Sequence, residues 1–442
     1  MCSLTRIALT GLVLVAAAGP VCAQEDPPPL TIQTAVDEAL RRNPDLLALQ
    51  QQFEAARERP SQERFLAPPT FEAQIWQWPI NTLNPTGTGM YMFTVGQELP
   101  GRRKRALRET FANAGVAVVE ASIAVHANDI LNDVKEAYAE LFLARKAIEV
   151  HHATHDLLRQ LADVAQVRYA VGGISQHDVL TAVLELSRIE EHLIGLDERT
   201  GLAEAQLNTL LDQRPDAPIG PLAEPTERRL LPSAETLQAL AVDRQPELVR
   251  ARREVDRTRA YVDVVSSEYS PDFLVRGGYM LMPSDRDGWT VTAGLTWPRA
   301  PWSRGRLDAQ RAEATAQVSA AEARIRAIEN GVRLRVQNAY VRVQAAQRRA
   351  TLLRTTVLPQ ADQALDVSRI AYQADRAAFL AMIDTQRVRL DAQLAYYDAL
   401  SDFDQALAHL ERAVGTELPS AALRVEPTAE AIFKVGARYE LN

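Results

Sequence analysis

The sequence predicts a mainly α chain with a small β part, laid down twice within 442 residues. Three observations predict it. Landmarks recur at a constant offset of 202 positions: Asn43-Pro44-Asp45-Leu46 is answered by Gln245-Pro246-Glu247-Leu248, Pro69-Thr70-Phe71 by Pro271-Asp272-Phe273, and Val134, Ala137 and Tyr138 by Val336, Ala339 and Tyr340. Self-similarity that keeps its order marks duplication, each copy supplying the same structural unit. No proline lies between Pro100 and Pro215 and glycine is sparse there, so very long helices are allowed. Ahead of each helical stretch the hydrophobic period changes to two, the signature of strands.

The elements follow in order. Thr31 to Arg59 reads as helix, interrupted at Asn43 because Pro44 disfavours the helical backbone before it. Pro60 and Pro68-Pro69 punctuate its end. Phe71, Ala73 and Ile75 then alternate with Glu72 and Gln74. A loop rich in turn formers, Asn81 to Gly89, leads to a second alternating run with Tyr91, Phe93, Val95 and Leu99 on one face. In the second copy Phe273, Val275, Tyr279 and Leu281 line one strand face. Pro283 to Gly288 makes a turn. Trp289, Val291, Ala293, Leu295 and Trp297 then alternate with Thr290, Thr292, Gly294 and Thr296.

An apolar face ended by aromatics, opposite small polar residues, is how a membrane β-strand is written. Half of a soluble sandwich is the plainer alternative. Four strands cannot close a membrane barrel, the smallest of which use about eight. If they span a membrane, several chains share one barrel.

A single helix from Gly101 to Val171 would be roughly 105 Å long. Its seam of Ile130, Val134, Ala137, Leu141, Ala144 and Ile148 steps by four and three, as in a coiled coil. The second copy runs Val332, Val336, Ala339, Val343, Ala346, Ala350, Leu353, Val357. Such helices pair along their length rather than fill a globule. The first turns at Gly172-Gly173 with Ser175 as cap, the second near Asp375-Arg376, and the return helices reach Leu211 and Val414. Pro359 predicts a local kink.

The chain therefore divides into a signal peptide (1–23), a first repeat (24–215), a proline-rich linker (216–232), a second repeat (233–415) and a tail without strong pattern (416–442). Arg6, the apolar run Ile7 to Ala18 and the small-residue site Val21-Cys22-Ala23 predict cleavage after Ala23. Gly19-Pro20-Val21 is a poor context for lipid on Cys22. Both cysteines, Cys2 and Cys22, fall within the signal, which leaves no disulfide, thiolate metal site or cysteine nucleophile in the mature chain. No second segment reads as a membrane-spanning helix, and a net charge of -8 argues against general nucleic-acid binding. No nucleophile elbow, phosphate loop or metal-ligand motif is found, so no catalysis and no cofactor are expected.

Three residue groups stand out. His151, His152 and His155 are the only histidine cluster, and His151 with His155 could share a metal one helical turn apart, although a solvated or interfacial stretch of helix is the preferred account. Arg102, Arg103, Lys104 and Arg105 follow the second strand, as Arg299, Arg304 and Arg306 follow the fourth, placing basic residues where lipid headgroups would be. Trp76, Trp78, Trp289 and Trp297 read as an interfacial aromatic belt.

Taken in order, Ala39-Leu40-x-x-Asn43-Pro44-x-Leu46, Gln97-Glu98-Leu99-Pro100-Gly101-Arg102-Arg103 and Arg168-Tyr169-x-x-Gly172-x-x-Ser175-x-x-Asp178-Val179-Leu180 resemble the TolC-like outer-membrane efflux family from about Leu30 to Gly415. The resemblance implies a homotrimer with four strands per chain in a shared twelve-stranded outer-membrane β-barrel. Long coiled-coil hairpins would form a periplasmic α-barrel. The partners implied are a periplasmic adaptor and an inner-membrane transporter of the resistance-nodulation-division type, together with outer-membrane lipid and no nucleic acid. The function implied is the exit duct of a tripartite pump for drugs or metal ions. Gln97 to Arg105 is closer to the metal-efflux members.

Asp178 and Tyr372 match positions of the family's periplasmic gate, and Asp384 matches a carboxylate at its entrance. The other expected carboxylate falls on Ala381 and the gating arginine on Ala377, beside Arg376. Arg168 and Asp375 are the substitutes. A duct for protein secretion, and a soluble periplasmic adaptor or scaffold, remain the rival functions at this point.

Overall fold

The computed structural model describes residues 29–78, 80, 84, 88–101, 103–224, 228–230, 232–283, 285–374, 376–418 and 420–422. The expected signal peptide with Cys2 and Cys22, Arg102, Asp375 and the end of the tail lie outside these.

The first repeat opens with α1 (Ile32–Arg42) and α2 (Pro44–Arg57). Between them Asn43 takes an extended backbone and its side chain accepts the Asp45 N–H, so the residue forced out of helix by Pro44 caps the next helix. After a short turn of helix, α3 (Arg59–Gln62), come β1 (Thr70–Trp76) and β2 (Met90–Leu99), then the hairpin of α4 (Lys104–Ala170) and α5 (Gln176–Leu210). The second repeat follows the same order: α6 (Ala234–Arg244), α7 (Pro246–Ser267), β4 (Phe273–Leu281), β5 (Gly288–Leu295), α8 (Arg304–Leu352), α9 (Leu358–Gln373) and α10 (Phe379–Val414). At 67 residues, α4 extends about 100 Å.

The kink expected at Pro359 is a single π turn, Leu353–Val357, between α8 and α9. A proline inside a helix removes one i→i−4 bond, and a π turn is one way for the backbone to absorb that loss.

Each repeat has its own core. In the first, Ala35, Val36 and Ala39 of α1 pack on Ile130, Val134, Ala137 and Leu141 of α4 and on Leu207 and Leu211. In the second, Leu237 and Ala241 of α6 pack on Val332, Val336 and Val343 of α8 and on Phe403, Leu407 and Leu410 of α10. The predicted seams are buried from Ile130 to Ala144 and from Val332 to Ala350, and half-buried at Ile148, Leu353 and Val357. The repeats are bonded through Ser401 on α10, whose hydroxyl donates to Ala139 O of α4 at 3.0 Å within a buried contact.

The linker and tail are not structureless. Arg228–Leu230 (β3) pairs antiparallel with Ser420–Ala422 (β6), and Leu30 bridges Leu222. The Tyr138 hydroxyl reaches both Leu30 O (2.8 Å) and Ala223 O (2.9 Å), holding the start of the chain and the linker to α4. Burial pushes that phenol up to about 12.

Helix α10 ends on Gly415 in the left-handed region, φ 84°. A Cβ there would lie 2.6 Å from Pro246 Cδ and 2.9 Å from Gln245 Cα. Gly415→Ala is therefore expected to cost about 1–3 kcal/mol, read as a lower urea midpoint for the detergent-solubilised protein. An unchanged midpoint would mean that this junction is loose.

Among the described residues one helix, α4, is long and apolar enough by composition to cross a membrane, contrary to expectation. Its apolar stretch is rich in alanine and valine (Ala112 to Ala127) and little of it is buried within the single chain.

Candidate functional site: a curved sheet and a helical tip

Strands β1, β2, β4 and β5 form one antiparallel sheet in the order β1-β2-β4-β5. The register aligns Phe71, Val95, Gly277 and Val291 across it, then Ala73, Phe93, Tyr279 and Trp289. Every residue of the predicted apolar runs is thereby on one face, and the face is exposed: Trp289 is 79% and Val291 81% accessible. The other face carries Thr70, Glu72, Thr94, Gly96, Arg276, Thr290 and Thr292.

This second face is concave, since Thr94 is buried and a Cβ on Gly278 would lie 2.4 Å from Phe93 O. Across it Arg276 donates to Glu72 at 3.0 Å, over Gly96. The two edges, β1 and β5, each pair with one strand only. An exposed edge beside an exposed apolar face is a template for another chain.

Trp289 packs edge-on to Tyr279 at 5.3 Å on the apolar face, at one end of the sheet. Trp297 lies just past β5 at the other end, against Trp302 at 6.0 Å, a residue not singled out from sequence. Trp76 differs. It pairs with Met90 one position beyond Ile75 and so lies on the concave face. Trp78 follows the end of β1 and is exposed.

The basic cluster divides as well. Arg103 is the residue before α4 and makes no side-chain cap. Arg105 donates to Arg64 O. Lys104 is not at a headgroup surface: it is 1% exposed and its ammonium bonds Glu268 and Asp272, both at 2.8 Å. Arg108 joins Glu268 at 3.0 Å, and Gly101 N donates to Asp272 at 2.8 Å. Burial alone would raise the Asp272 carboxyl, but the Lys104 ammonium and Gly101 N–H hold it below its ordinary value. This node fastens the start of α4 to the end of α7 where the helices meet the sheet.

At the far end the two hairpins converge. Ser175 caps α5 and Asp178 completes a capping box: Asp178 accepts from Ser175 N (3.1 Å) and from Ser175 Oγ (2.8 Å). Tyr372 is buried with Phe379, Met382 and Ile383. The Arg168 guanidinium stands 4.8 Å above its ring, so these two predicted residues do meet. Among the described residues, no hydrogen-bond partner of the Tyr372 hydroxyl is found and none joins it to Asp178. Arg376, Ala381 and Asp384 are exposed.

Asp384 belongs to a larger charge network that sequence did not reveal. Arg387 bonds Asp384 at 3.1 Å and, across the hairpins, donates from Nε to Glu185 at 2.9 Å; Arg188 reaches Glu185 at 2.8 Å. Gln386 is fully buried beside it, in a cleft of about 220 Å³ with Thr154 and Ile383.

The Arg387 hydrogen bond, opposed by burial, holds Glu185 below the usual carboxylate range. A depressed carboxyl stabilises fully above its unfolded pKa, about 4.3, and that stability is lost as pH falls through the depressed value. Amide protection in 379–391 should be steady between pH 7 and 5 and fall below about pH 4. In Glu185→Gln it should be lower at pH 7 and lose this acid step. Acid-insensitive protection in the wild type would exclude the coupling.

Histidine 151 is buried, bonded through Nδ1 to Ala147 O at 2.7 Å, and faces His192 with ring centroids 5.8 Å apart. His155 instead neighbours Glu190 and Asp156. Burial lowers the His151 pKa. Among the described residues no group of three potential histidine, cysteine or carboxylate ligands is assembled.

A duplicated chain with a one-sided curved sheet and long paired helices defines a class of membrane-embedded duct, and comparison with known proteins agrees. Residues 35–213 and 237–416 match the outer membrane efflux protein family, one match for each repeat, and the chain belongs to it. It is 25% identical over 401 residues to the cobalt-zinc-cadmium resistance protein CzcC of Cupriavidus metallidurans, covering 90% of this chain and 92% of that one. It is 28% identical over 247 residues to the fusaric acid resistance protein FusA of Burkholderia cepacia, covering 53% of this chain and 46% of that one. The fold superimposes on the outer membrane protein VceC of Vibrio cholerae with a TM-score of 0.71 at 20% identity, covering 88% of this chain and 97% of that one. The protein is an outer-membrane efflux duct that extends into the periplasm.

Proposed function

We propose that three copies of this chain share one twelve-stranded barrel and pass heavy-metal cations outward from an inner-membrane transporter of the resistance-nodulation-division type, through a periplasmic adaptor. The observation that carries the shared barrel is the four-stranded sheet itself: one face fit for lipid, a concave polar face, and two edges with one neighbour each. β5 of one copy is antiparallel to β1 of the next, as closure requires. Metal cargo is supported by the likeness to CzcC over nearly the whole length of both chains. Deleting the gene should reduce tolerance to cobalt, zinc, cadmium or silver while leaving fusaric acid tolerance unchanged. Loss of fusaric acid tolerance alone would overturn the metal cargo.

The helical tip is the entrance in this account. Asp178, Tyr372, Arg168, Asp384 and Arg376 hold it closed, Arg168 by capping the Tyr372 ring. Arg103, Trp289 and Trp297 meet the lipid interface. Asp178→Ala should loosen the tip and raise single-channel conductance in a planar bilayer. It also removes the reciprocal partner of the Ser175 cap, so the trimer must first be shown intact. Unchanged conductance in an intact trimer would exclude Asp178 from the gate.

A further inference from the structure

We infer that the concave face of the sheet carries a thioether site for a soft monovalent cation, Cu(I) or Ag(I), built from Met90, Met92, Met280 and Met282. Four of the six methionines in the chain are these four, and they lie together at one end of the sheet. Met92 is the register partner of Met280, and Met90 pairs with Trp76, so all three strand methionines share the concave face. Met282 follows two residues beyond Met280. The methyl ends of Met280 and Met282 converge on Gly288, where a Cβ would lie 3.2 Å from one Cε and 3.9 Å from the other. All four side chains are half-buried by the curvature of the sheet.

The rest of this face is mostly polar or charged (Glu72, Gln74, Thr94, Arg276, Thr290, Thr292), its other large apolar residues being Leu274 and, beside Met90, Trp76. The wall of a water-filled duct has no need of apolar residues in one patch, and leucine would serve there if packing alone were at stake. Thioether sulfur is a soft, neutral ligand. It suits Cu(I) and Ag(I) and is poor for zinc or cobalt, and a neutral site can release its cation again. Flexible side chains on neighbouring strands can bring two or three sulfurs to one ion. No redox step is involved.

The site rests on the reading that the concave face lines the duct, and on metal cargo; within that cargo it retains the soft monovalent ions and lets divalent ones pass. The test uses the full-length protein purified in detergent, with Ag(I) as probe. Equilibrium dialysis should show silver retained by the wild type, and X-ray absorption should show a sulfur-only first shell. The double variant Met92→Leu/Met280→Leu should lose at least about tenfold in silver affinity, while Met382→Leu, at the buried helical tip, should not. Methionine-to-leucine exchange conserves volume and keeps the fold. A conducting trimer that does not retain silver, or retains it equally in the double variant, overturns the site and leaves the duct standing. Silver retention lost with the double variant supports the site, and a failure of the same preparation to conduct would then count against the duct alone.

Discussion

Val291→Arg is expected to keep the chain from assembling in the outer membrane. Val291 is at the middle of β5, 81% exposed, on the face that aligns with Gly277, Val95 and Phe71. If that face meets lipid, an arginine near the bilayer midplane costs about 2–4 kcal/mol per chain, and a shared barrel would carry it in every copy. Thr290→Lys, one residue away on the concave face, meets water and should assemble normally. Membrane fractionation of the two variants separates them. Equal amounts of both in the outer membrane would mean that the exposed face is covered by protein, not lipid.

Lys104→Met is expected to destabilise the folded chain by about 2–3 kcal/mol. Losing one partner of a fully buried ion pair costs somewhat more, about 3–5 kcal/mol, but Glu268 and Asp272 are each roughly a third exposed and water relieves part of the loss. The methionine side chain is only one heavy atom shorter than lysine, so the cavity term is small. Asp272→Asn added to Lys104→Met should recover part of the loss, since it removes a carboxylate left without its ammonium. Urea titrations of the four proteins in detergent give the coupling. Additive effects would show that Lys104 and Asp272 act independently.

What could be read from the sequence was what periodicity encodes. The alternation in Trp289 to Trp297 marked which sheet face is apolar, the four–three seam in Ile130 to Leu141 marked which helix face is buried, and the 202-residue offset set the order of elements. Ser175 was readable as a cap, and Pro44 as a break at Asn43, because both signals are local. The rest depends on contacts between residues far apart in the chain. Lys104 looked like one of four basic residues in a row, and only its approach to Glu268 and Asp272, more than 160 positions away, distinguishes it. Trp76 looked like Trp289 until register put it one step past Ile75. β3 and β6 are three residues each and carry no pattern of their own. At the tip, Glu185 is joined to Arg387 across 202 positions, the repeat offset itself, yet glutamate and arginine on long helices are too common to signal a pair.

Single-particle imaging of the protein extracted from membranes in detergent tests the shared barrel most directly. A tapered three-fold tube, with a helical part near 100 Å and β5 of each chain paired to β1 of the next in a closed barrel, is the predicted result. Particles of one chain with a free-standing four-stranded sheet would contradict it.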